Sequence, residues 1–513
     1  MYMIRVCATA TLLFATAFGS GTVRAQAKAK ALVLTLDTRK TFQTIEHFGA
    51  SDAWACQFVG QWPADKKEKM ADWLFSSDTT ADGTPKGIAL SLWRFNLGAG
   101  SAEQGDSSGI KDEWRRAESL LTKERKFDFT KQAGQQWFLK AAHKRGVRSF
   151  LMFLNSPPVT MTNNHKAFAD KGQCNLAAGR YQSLAAYIAG SIKGLQQQNN
   201  IRFRYVSPVN EPQWDWSDGG QEGNPYTNEQ LSGVVRALHS TLAQSKLPVK
   251  ISVTEAGHLK YLLEESDKPG RGNQLLELMR PGGPNYIGDL GSVDKAIAGH
   301  SYFSTSPSSE GIALRKRLAD RIASVKGTSY WQSEYCILGD NSGEINGQKR
   351  DTGMAAALYL ARVMYADLAV ANAGSWQWWL AISPYDYKDG LIYIDKNKTD
   401  GAFTDSKLLW VLGNFSRFVR PGMVRIATGL SSDQDSCLAS AFRDPATGKL
   451  VVVLINSSDA SQSLDLKKQD GKGWKRIDLY TTSREKKLQH TTGSNSILLE
   501  PQSVTTLVIS PQR

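Results

Sequence analysis

Tyr205-Val-Ser-Pro-Val-Asn-Glu-Pro212 is a short, mostly apolar run that carries an acidic residue, Glu211, near its end. A second run, Ser329-Tyr-Trp-Gln-Ser-Glu-Tyr335, has the same form and carries Glu334 near its end. Short apolar runs rich in β-branched and aromatic residues are typical of buried strands. Each run therefore places one carboxyl group at the end of a predicted strand.

Six further runs of this kind lie between residues 45 and 380, and helical stretches separate most of them. Such an alternation is typical of βα units and a parallel sheet. Eight strands interleaved with helices predict a closed (β/α)8 TIM barrel rather than an open doubly wound sheet. The predicted strands are Ile45–Ala50, Ile88–Asn96, Arg148–Asn155, Phe203–Val209, Lys250–Thr254, Ala296–Tyr302, Ser329–Ser333 and Ser375–Trp379.

The pattern changes after Pro421, where short alternating strands are joined by turn-rich segments such as Asp444-Pro-Ala-Thr-Gly448. This pattern predicts a C-terminal β-sandwich over residues 421–513, beside a barrel over residues 45–420. No low-complexity linker separates the two parts, so we expect them to pack rigidly against each other.

The first 30 residues have the form of an export signal. Arg5 precedes an apolar run from Cys7 to about Phe18, and Ala25-Gln-Ala27 supplies the small residues that a signal peptidase needs. The run is shorter than the roughly 20 residues that cross a bilayer. We therefore expect residues 1–25 to be a signal peptide, and the protein to be periplasmic or extracellular without a membrane span.

The formal net charge is +13, but the Lys and Arg residues are scattered along the chain. A nucleic-acid-binding protein usually gathers them in a patch or stripe. The charge therefore indicates a solvated surface and no nucleic-acid partner, and it also suits an anionic glycan. No Cys/His metal spacing, nucleotide-binding loop or HExxH motif is present, so we expect no metal and no cofactor. The four cysteines beyond the signal predict one disulfide or none.

Glu211 and Glu334 lie at the ends of the fourth and seventh predicted strands. The active site of a (β/α)8 barrel enzyme is formed at the C-terminal ends of the strands. Cleavage of a glycosidic bond needs such a pair. One carboxyl group protonates the leaving oxygen, and the other attacks the anomeric carbon or activates water. The alternative is that both are ordinary solvated glutamates. Asn210 favours the catalytic interpretation, since its amide can donate to a sugar hydroxyl beside the bond.

The chain resembles glycoside hydrolase family 30, whose members are retaining enzymes, and most of all its endo-β-1,6-galactanase-like branch. The resemblance spans nearly the whole mature chain. It is carried by His47-Phe-Gly-Ala-Ser-Asp52, Arg94-Phe-Asn96, Asn155-Ser-Pro-Pro158 with Met161, Val209-Asn-Glu-Pro212, His300-Ser-Tyr302, Ser333-Glu334 and Phe415-Ser-Arg-Phe-Val-Arg-Pro-Gly422.

This resemblance implies that Glu211 is the acid/base and Glu334 the nucleophile, about 5 Å apart. It also implies that a strand within residues 26–44 contributes to the β-sandwich. The substrate it implies is a polysaccharide or oligosaccharide, most specifically a β-1,6-linked galactan. The chain departs from many relatives after the third strand, where Val159-Thr160 stands in place of tryptophan, which implies a different subsite there.

Other side chains at the strand ends are expected to contact the sugar, because pyranose rings stack on aromatic rings. Trp376 and Trp378 alternate with Trp379 along the eighth strand, so one set packs internally, and we expect Trp378 to face the site. Arg94 could orient Glu334, hold a substrate hydroxyl, or pair with Asp52 or Glu255. The predicted substrate-binding residues are Asp52, Trp54, Arg94, Asn96, Asn155, Asn210, Trp214, Trp216, His300, Tyr302 and Trp378.

The sequence thus predicts an exported, retaining endo-glycoside hydrolase that cleaves β-linked galactan side chains. A xylanase or a β-glucan or β-glucosidase-type hydrolase on the same scaffold is the alternative among enzymes. A non-catalytic glycan-binding protein is the alternative of another class, and the presence of both glutamates argues against it.

Overall fold

The structure, a computed structural model, describes residues 31–431, 436–468 and 474–511. The predicted signal peptide lies outside these residues. Strand β1 (Leu32–Thr44) precedes a ten-stranded sheet and a two-stranded hairpin. Their strands are β2 (His47–Ser51), β3 (Leu92–Asn96), β4 (Ser149–Phe153), β5 (Phe203–Ser207), β6 (Lys250–Ala256), β7 (Val293–His300), β8 (Ser329–Tyr335), β9 (Asp340–Asn341), β10 (Ile345–Asn346), β11 (Ser375–Ser383), β12 (Gly390–Ile394) and β13 (Phe403–Asp405).

Eight parallel strands of the larger sheet close into a barrel. Neighbouring strands run in the order β2-β3-β4-β5-β6-β7-β8, and β11 pairs with both β8 and β2. In the closing register, Ser375 of β11 lies opposite Trp331 on one side and His47 on the other. Strands β12 and β13 continue the sheet outward from β11. The closure confirms the predicted (β/α)8 barrel.

Helices follow most of the barrel strands and bury one face against them. Helix α6 begins with the capping box that the sequence indicates: the Gln230 N–H donates to the Thr227 hydroxyl, and the Thr227 N–H donates to the Gln230 side chain. The helices are α1 (Cys56–Val59), α2 (Ala64–Phe75), α3 (Ser101–Gln104), α4 (Ala133–Lys144), α5 (Tyr181–Asn199), α6 (Asn228–Gln244), α7 (Lys260–Leu263), α8 (Gln274–Met279), α9 (Ser308–Ala323), α10 (Met354–Tyr365) and α11 (Lys407–Ser416).

The second barrel strand is shorter than predicted. Its pairing begins at Leu92, whereas the hydrophobic pattern indicated a start at Ile88. The N–H groups of Ile88 and Leu90 donate instead to carbonyls at the end of α2, those of Trp73 and Leu74. The apolar segment is buried as predicted, but it fastens a helix end rather than extending the sheet.

Side chains fill the barrel below the strand ends. The rings of His47, Tyr205 and Trp331, from three different strands, meet edge to face, with 4.9 Å between the centroids of Tyr205 and Trp331. A (β/α)8 barrel is in general a packed core and not a pore. These three rings therefore belong to the packed interior and do not line the cavity at the strand ends.

The C-terminal strands form a β-sandwich domain whose strand order is β19-β18-β21-β16-β15-β14-β1-β17-β20. Strand β1 lies between β14, to which it is antiparallel, and β17, to which it is parallel. Leu34 and Leu36 of β1 belong to the apolar core of this domain. The strands not yet described are β14 (Val424–Leu430), β15 (Cys437–Arg443), β16 (Leu450–Asn456), β17 (Gln462–Lys468), β18 (Arg476–Thr482), β19 (Gln489–Gly493), β20 (Ser496–Leu499) and β21 (Ser503–Ser510).

Helix α11 joins the barrel to the sandwich. Its Asn414 amide donates to the Tyr480 carbonyl and to the Thr506 hydroxyl, which in turn donates to the Asn414 carbonyl. Among the described residues, no helix is long and apolar enough to cross a membrane. The four cysteines there are free thiols, namely Cys56, Cys174, Cys336 and Cys437.

Candidate active site

Glu211 and Glu334 meet at the C-terminal end of the barrel. Glu211 follows β5, the fourth barrel strand, and Glu334 lies near the end of β8, the seventh. One carboxylate oxygen of each lies within 4.8 Å of the other. Retaining glycosidases hold their two carboxyl groups roughly 5–5.5 Å apart, and inverting enzymes roughly 6.5–9.5 Å apart. The separation therefore suits a retaining mechanism.

Two donors hold the carboxylate of Glu334. Arg94, fully buried, donates from Nη1 to Oε2 at 2.8 Å, and the Tyr302 hydroxyl donates to Oε1 at 3.1 Å. Arg94 forms a buried ion pair with Glu334, and the two donors together fix the orientation of the carboxylate. Three roles were considered for Arg94, and the structure shows the first of them: Arg94 orients Glu334.

Glu211 has a different environment. Its carboxyl group is buried, and burial together with the nearby charge of Glu334 holds the pKa of Glu211 above its ordinary value, although His300 acts against this rise. Its Oε1 lies 2.8 Å from Nδ1 of His300. The backbone of Glu211 has a φ of +43°, in the left-handed region that favours glycine.

His300 lies between three carboxylates. Its Nδ1 faces Glu211, its Nε2 lies 3.0 Å from Oε2 of Glu255, and Oε1 of Glu334 is 3.6 Å from Nδ1. Burial alone would lower the pKa of His300, but the charge of Glu334 and the hydrogen bonds to Glu211 and Glu255 raise it to about 10. At neutral pH both ring nitrogens therefore carry protons.

Glu255 was not predicted as a site residue, and its sequence position suggested only a possible partner for Arg94. Burial would raise the pKa of Glu255, but His300 and Arg94 lower it to about 2, so it is a buried carboxylate. The signal that could have found it is its position: like Glu211, Glu255 stands at the end of a barrel strand.

The carboxylates open into a cavity of about 450 Å³ with aromatic walls. The indole N–H of Trp216 donates to the Glu211 carbonyl at 3.0 Å, which fixes that ring beside Glu211. The lining residues are Asn210, Glu211, Trp214, Trp216, Gln221, Tyr302, Phe303, Glu334, Leu338 and Trp379. Phe303, Gln221, Leu338 and Trp379 were not predicted. Phe303 is 61% exposed and meets Trp214 edge to face at 6.2 Å.

The prediction that Trp378 faces the substrate is wrong. Trp378 is fully buried, stacks on Trp376 at 6.3 Å and donates from its indole N–H to the Asp389 carbonyl. Trp379 instead lines the cavity and meets Trp54 edge to face at 5.4 Å. Alternation along β11 separates these rings into two faces as expected, but the neighbouring elements decide which face points inward.

Asp52 also does not contact the cavity. It is fully buried, and its Oδ1 accepts hydrogen bonds from the Asn96 N–H at 2.8 Å and from the Gln135 amide at 3.1 Å. Burial raises the pKa of Asp52 to about 8, so it is protonated at neutral pH. The geometry makes Asp52 a link between β2, β3 and α4, contrary to its prediction as a substrate-binding residue.

Four other predicted residues offer buried polar atoms that lack a hydrogen-bonding partner among the described residues. These atoms are Nε1 of Trp54, Nδ2 of Asn96, Oδ1 of Asn210 and both side-chain polar atoms of Asn155. An unpaired buried polar group costs stability, and a sugar hydroxyl can satisfy both donors and acceptors. Of these four residues, Asn210 lines the cavity. Trp54, Asn96 and Asn155 are buried and are not among the lining residues, contrary to their prediction as substrate-binding residues.

Comparison with known proteins agrees with this geometry. An endo-beta-1,6-galactanase of Hypocrea rufa is 26% identical over 443 residues, which are 83% of this chain and 81% of that protein. A solved structure of a conserved exported protein from Bacteroides fragilis has 32% sequence identity and a TM-score of 0.86, covering 93% of this chain and 100% of that chain. The catalytic domain of a GH30 xylanase C from Talaromyces cellulolyticus has 21% identity and a TM-score of 0.67, with coverages of 93% and 100%, and shows the same fold.

Two family profiles match the chain. Residues 31–393 match the profile described as O-Glycosyl hydrolase family 30, and residues 422–507 match the family 30 beta sandwich domain. The first match alone covers well over half of the chain. With a (β/α)8 barrel, a β-sandwich and two carboxylates at the spacing of a retaining mechanism, this chain belongs to glycoside hydrolase family 30.

Proposed function

We propose that this protein is an exported endo-acting hydrolase of β-1,6-linked galactan, in which Glu334 is the nucleophile and Glu211 the acid/base. The observation that carries this assignment is the unequal environment of the two neighbouring carboxyl groups. Glu334 forms a buried ion pair with Arg94 and accepts a hydrogen bond from Tyr302. Burial raises the pKa of Glu211, which favours its protonated form.

The mechanism follows from these two states. In the first step Glu334 attacks the anomeric carbon while Glu211 gives its proton to the departing glycosidic oxygen, so that a covalent glycosyl-enzyme forms. In the second step Glu211, now a carboxylate, takes a proton from water. The resulting hydroxide attacks the anomeric carbon and releases Glu334, with overall retention of configuration.

The galactan substrate and the endo action rest on the relative from Hypocrea rufa. The aromatic cavity supports a carbohydrate ligand of any pyranose type, because its rings offer flat faces for stacking. Export rests on the signal-like N-terminus and on the relative from Bacteroides fragilis, which is described as exported.

Defined oligosaccharides test the substrate. Incubation with β-1,6-galactooligosaccharides, xylooligosaccharides and β-1,6-glucooligosaccharides should give shortened galactose oligomers, and internal cleavage should appear before free galactose accumulates. Release of xylose or glucose oligomers without galactose products would transfer the assignment to xylan or β-glucan.

Substitution tests the two roles. Glu334→Ala should abolish turnover of every substrate. Glu211→Ala should still complete the first step with a dinitrophenyl β-galactoside, whose leaving group needs no proton, and azide should rescue the second step with a β-galactosyl azide as product. Glu229→Ala, on the exposed start of α6, is the matched control. An inactive Glu211→Ala on this substrate, or an azide product of inverted configuration, would contradict the assignment.

A fluorinated mechanism-based glycoside separates an enzyme from a binding protein. Such a reagent should add its mass to the peptide that contains Glu334, because the glycosyl-enzyme accumulates. Binding of galactan with no labelling by galactosyl, xylosyl or glucosyl reagents would favour a non-catalytic protein.

A further inference from the structure

Glu255 is connected to the acid/base by two routes. Its side chain reaches Glu211 through His300, with contacts of 3.0 Å from Oε2 to Nε2 and 2.8 Å from Nδ1 to Oε1 of Glu211. Its backbone carbonyl accepts the Glu211 N–H at 2.9 Å. Glu255 is fully buried and does not line the substrate cavity, so it acts on the site only through other residues.

Both residues at the ends of this connection hold an uncommon backbone conformation. Glu255 has a φ of +54° and Glu211 a φ of +43°. Residues other than glycine keep such conformations where the surrounding contacts over-determine them. The hydrogen bond from the Glu211 N–H to the Glu255 carbonyl therefore fixes the distance between the ends of β5 and β6. The imidazole of His300 bridges the side chains of these two residues.

The charges around His300 balance in the state that begins the reaction. The carboxylates facing it belong to Glu211, Glu255 and Glu334, and the other cation nearby is Arg94. When Glu211 holds its proton, two cations face two carboxylates. The neutral partners of Glu255 are hydroxyls, including that of Ser252 at 3.4 Å from Oε1.

We infer that Glu255 is a positioning residue for the acid/base step, an inference that rests on the proposed role of Glu211. Its carboxylate keeps His300 doubly protonated, so that the Nδ1–H of His300 always donates to the same oxygen of Glu211. The other oxygen of Glu211 then carries the proton that is transferred to the leaving group. His300 itself exchanges no proton with the substrate.

Loss of the Glu255 charge has a definite electrostatic consequence. With a neutral residue at this position the site carries one excess positive charge, and the pair formed by Glu211 and His300 releases a proton more readily. The active state, in which Glu211 is protonated and His300 doubly protonated, is therefore populated over a narrower pH range. The alkaline side of the pH profile moves to lower pH.

Two variants separate the charge from the shape. Glu255→Gln keeps the shape and an acceptor for Nε2 but removes the charge, whereas Glu255→Asp keeps the charge. In the pH profile of kcat/KM, Glu255→Gln should lower the alkaline midpoint by roughly one to two pH units. Glu255→Asp should keep that midpoint near the wild-type value while kcat falls. A midpoint unchanged in Glu255→Gln, with an equal loss of rate at every pH, would overturn the inference.

The protonation of His300 can be measured without turnover. In wild-type protein labelled with 15N-histidine, the ring nitrogens of His300, assigned by their absence in His300→Gln, should both show imidazolium shifts at pH 8. A neutral ring at that pH would overturn the inference even if Glu255→Gln did not fold. If His300 is an imidazolium but the protein hydrolyses no glycoside, the inferred protonation of His300 would be supported and the proposed function would be refuted.

Discussion

Tyr302 provides the neutral donor to Glu334, the proposed nucleophile, at 3.1 Å from Oε1. Tyr302→Phe should reduce kcat/KM about tenfold to a hundredfold, because a hydrogen bond to a charged group is worth about 1.5–3 kcal/mol. The measurement uses the dinitrophenyl galactoside, for which formation of the glycosyl-enzyme needs no acid. Tyr330→Phe removes a buried hydroxyl outside the cavity and is the control. An unchanged kcat/KM in Tyr302→Phe would show that Arg94 alone suffices.

Asp52 makes stability depend on pH. Its pKa of about 8 in the folded protein lies above the ordinary value of about 3.9 that it takes on unfolding. The folded state therefore keeps a proton that the unfolded state loses, and this contribution to stability is complete below about pH 4 and lost as the pH rises through about 8.

Asp52→Asn removes this dependence, since asparagine has the shape of the protonated acid and does not ionise. Relative to wild type, the variant should gain up to about 1.4 kcal/mol in unfolding free energy for each pH unit between pH 4 and pH 8. Urea unfolding at pH 5 and pH 8 measures the difference. A stability difference that is the same at both pH values would contradict a raised pKa.

At the scale of elements, a buried ion pair ties the end of β7 to the helices outside the barrel. Arg315 of α9 donates from Nε to Asp367, in the turn after α10, at 2.7 Å. Asp367 also accepts from the Ser301 hydroxyl and from the indole N–H of Trp376 in β11. Because Ser301 lies between His300 and Tyr302, this network supports the segment that carries both of them.

Asp367→Ala should destabilise the protein by about 3–5 kcal/mol, because it leaves the Arg315 charge buried without its partner. The exposed pair of Lys398 and Glu113 is the matched control, and Glu113→Ala should change the stability by less than about 1 kcal/mol. Urea unfolding compares the two variants. Equal, small effects would show that water reaches Arg315 in the variant.

At the scale of the molecule, the chain closes on itself, because β1 from the N-terminal side is an interior strand of the C-terminal sheet. A fragment of residues 421–513 would lack this strand and expose the edges of β14 and β17, and unpaired edges favour aggregation. We expect this fragment to be unfolded or aggregated, and a fragment with residues 31–44 joined through a flexible linker to fold. A dispersed NMR spectrum of the shorter fragment would contradict this expectation.

Local sequence patterns predict much of the fold and the positions of the two glutamates. Eight barrel strands, the capping box at Thr227 and the strand-end positions of Glu211 and Glu334 were all predictable. Hydrophobic period, turn residues and capping act between residues near each other in sequence, and parallel strands of a barrel bring their C-terminal ends to one face. These predictions therefore needed no knowledge of distant contacts.

Long-range packing decided the rest. Arg94 meets Glu334 across 240 positions, and Glu255 meets His300 across 45. Which indole of β11 enters the cavity depends on the elements packed behind that strand, so Trp379 took the place predicted for Trp378. Burial and charge depend on the three-dimensional surroundings of a group, and for this reason the shifted pKa values of His300 and Glu255 became visible only in the folded chain.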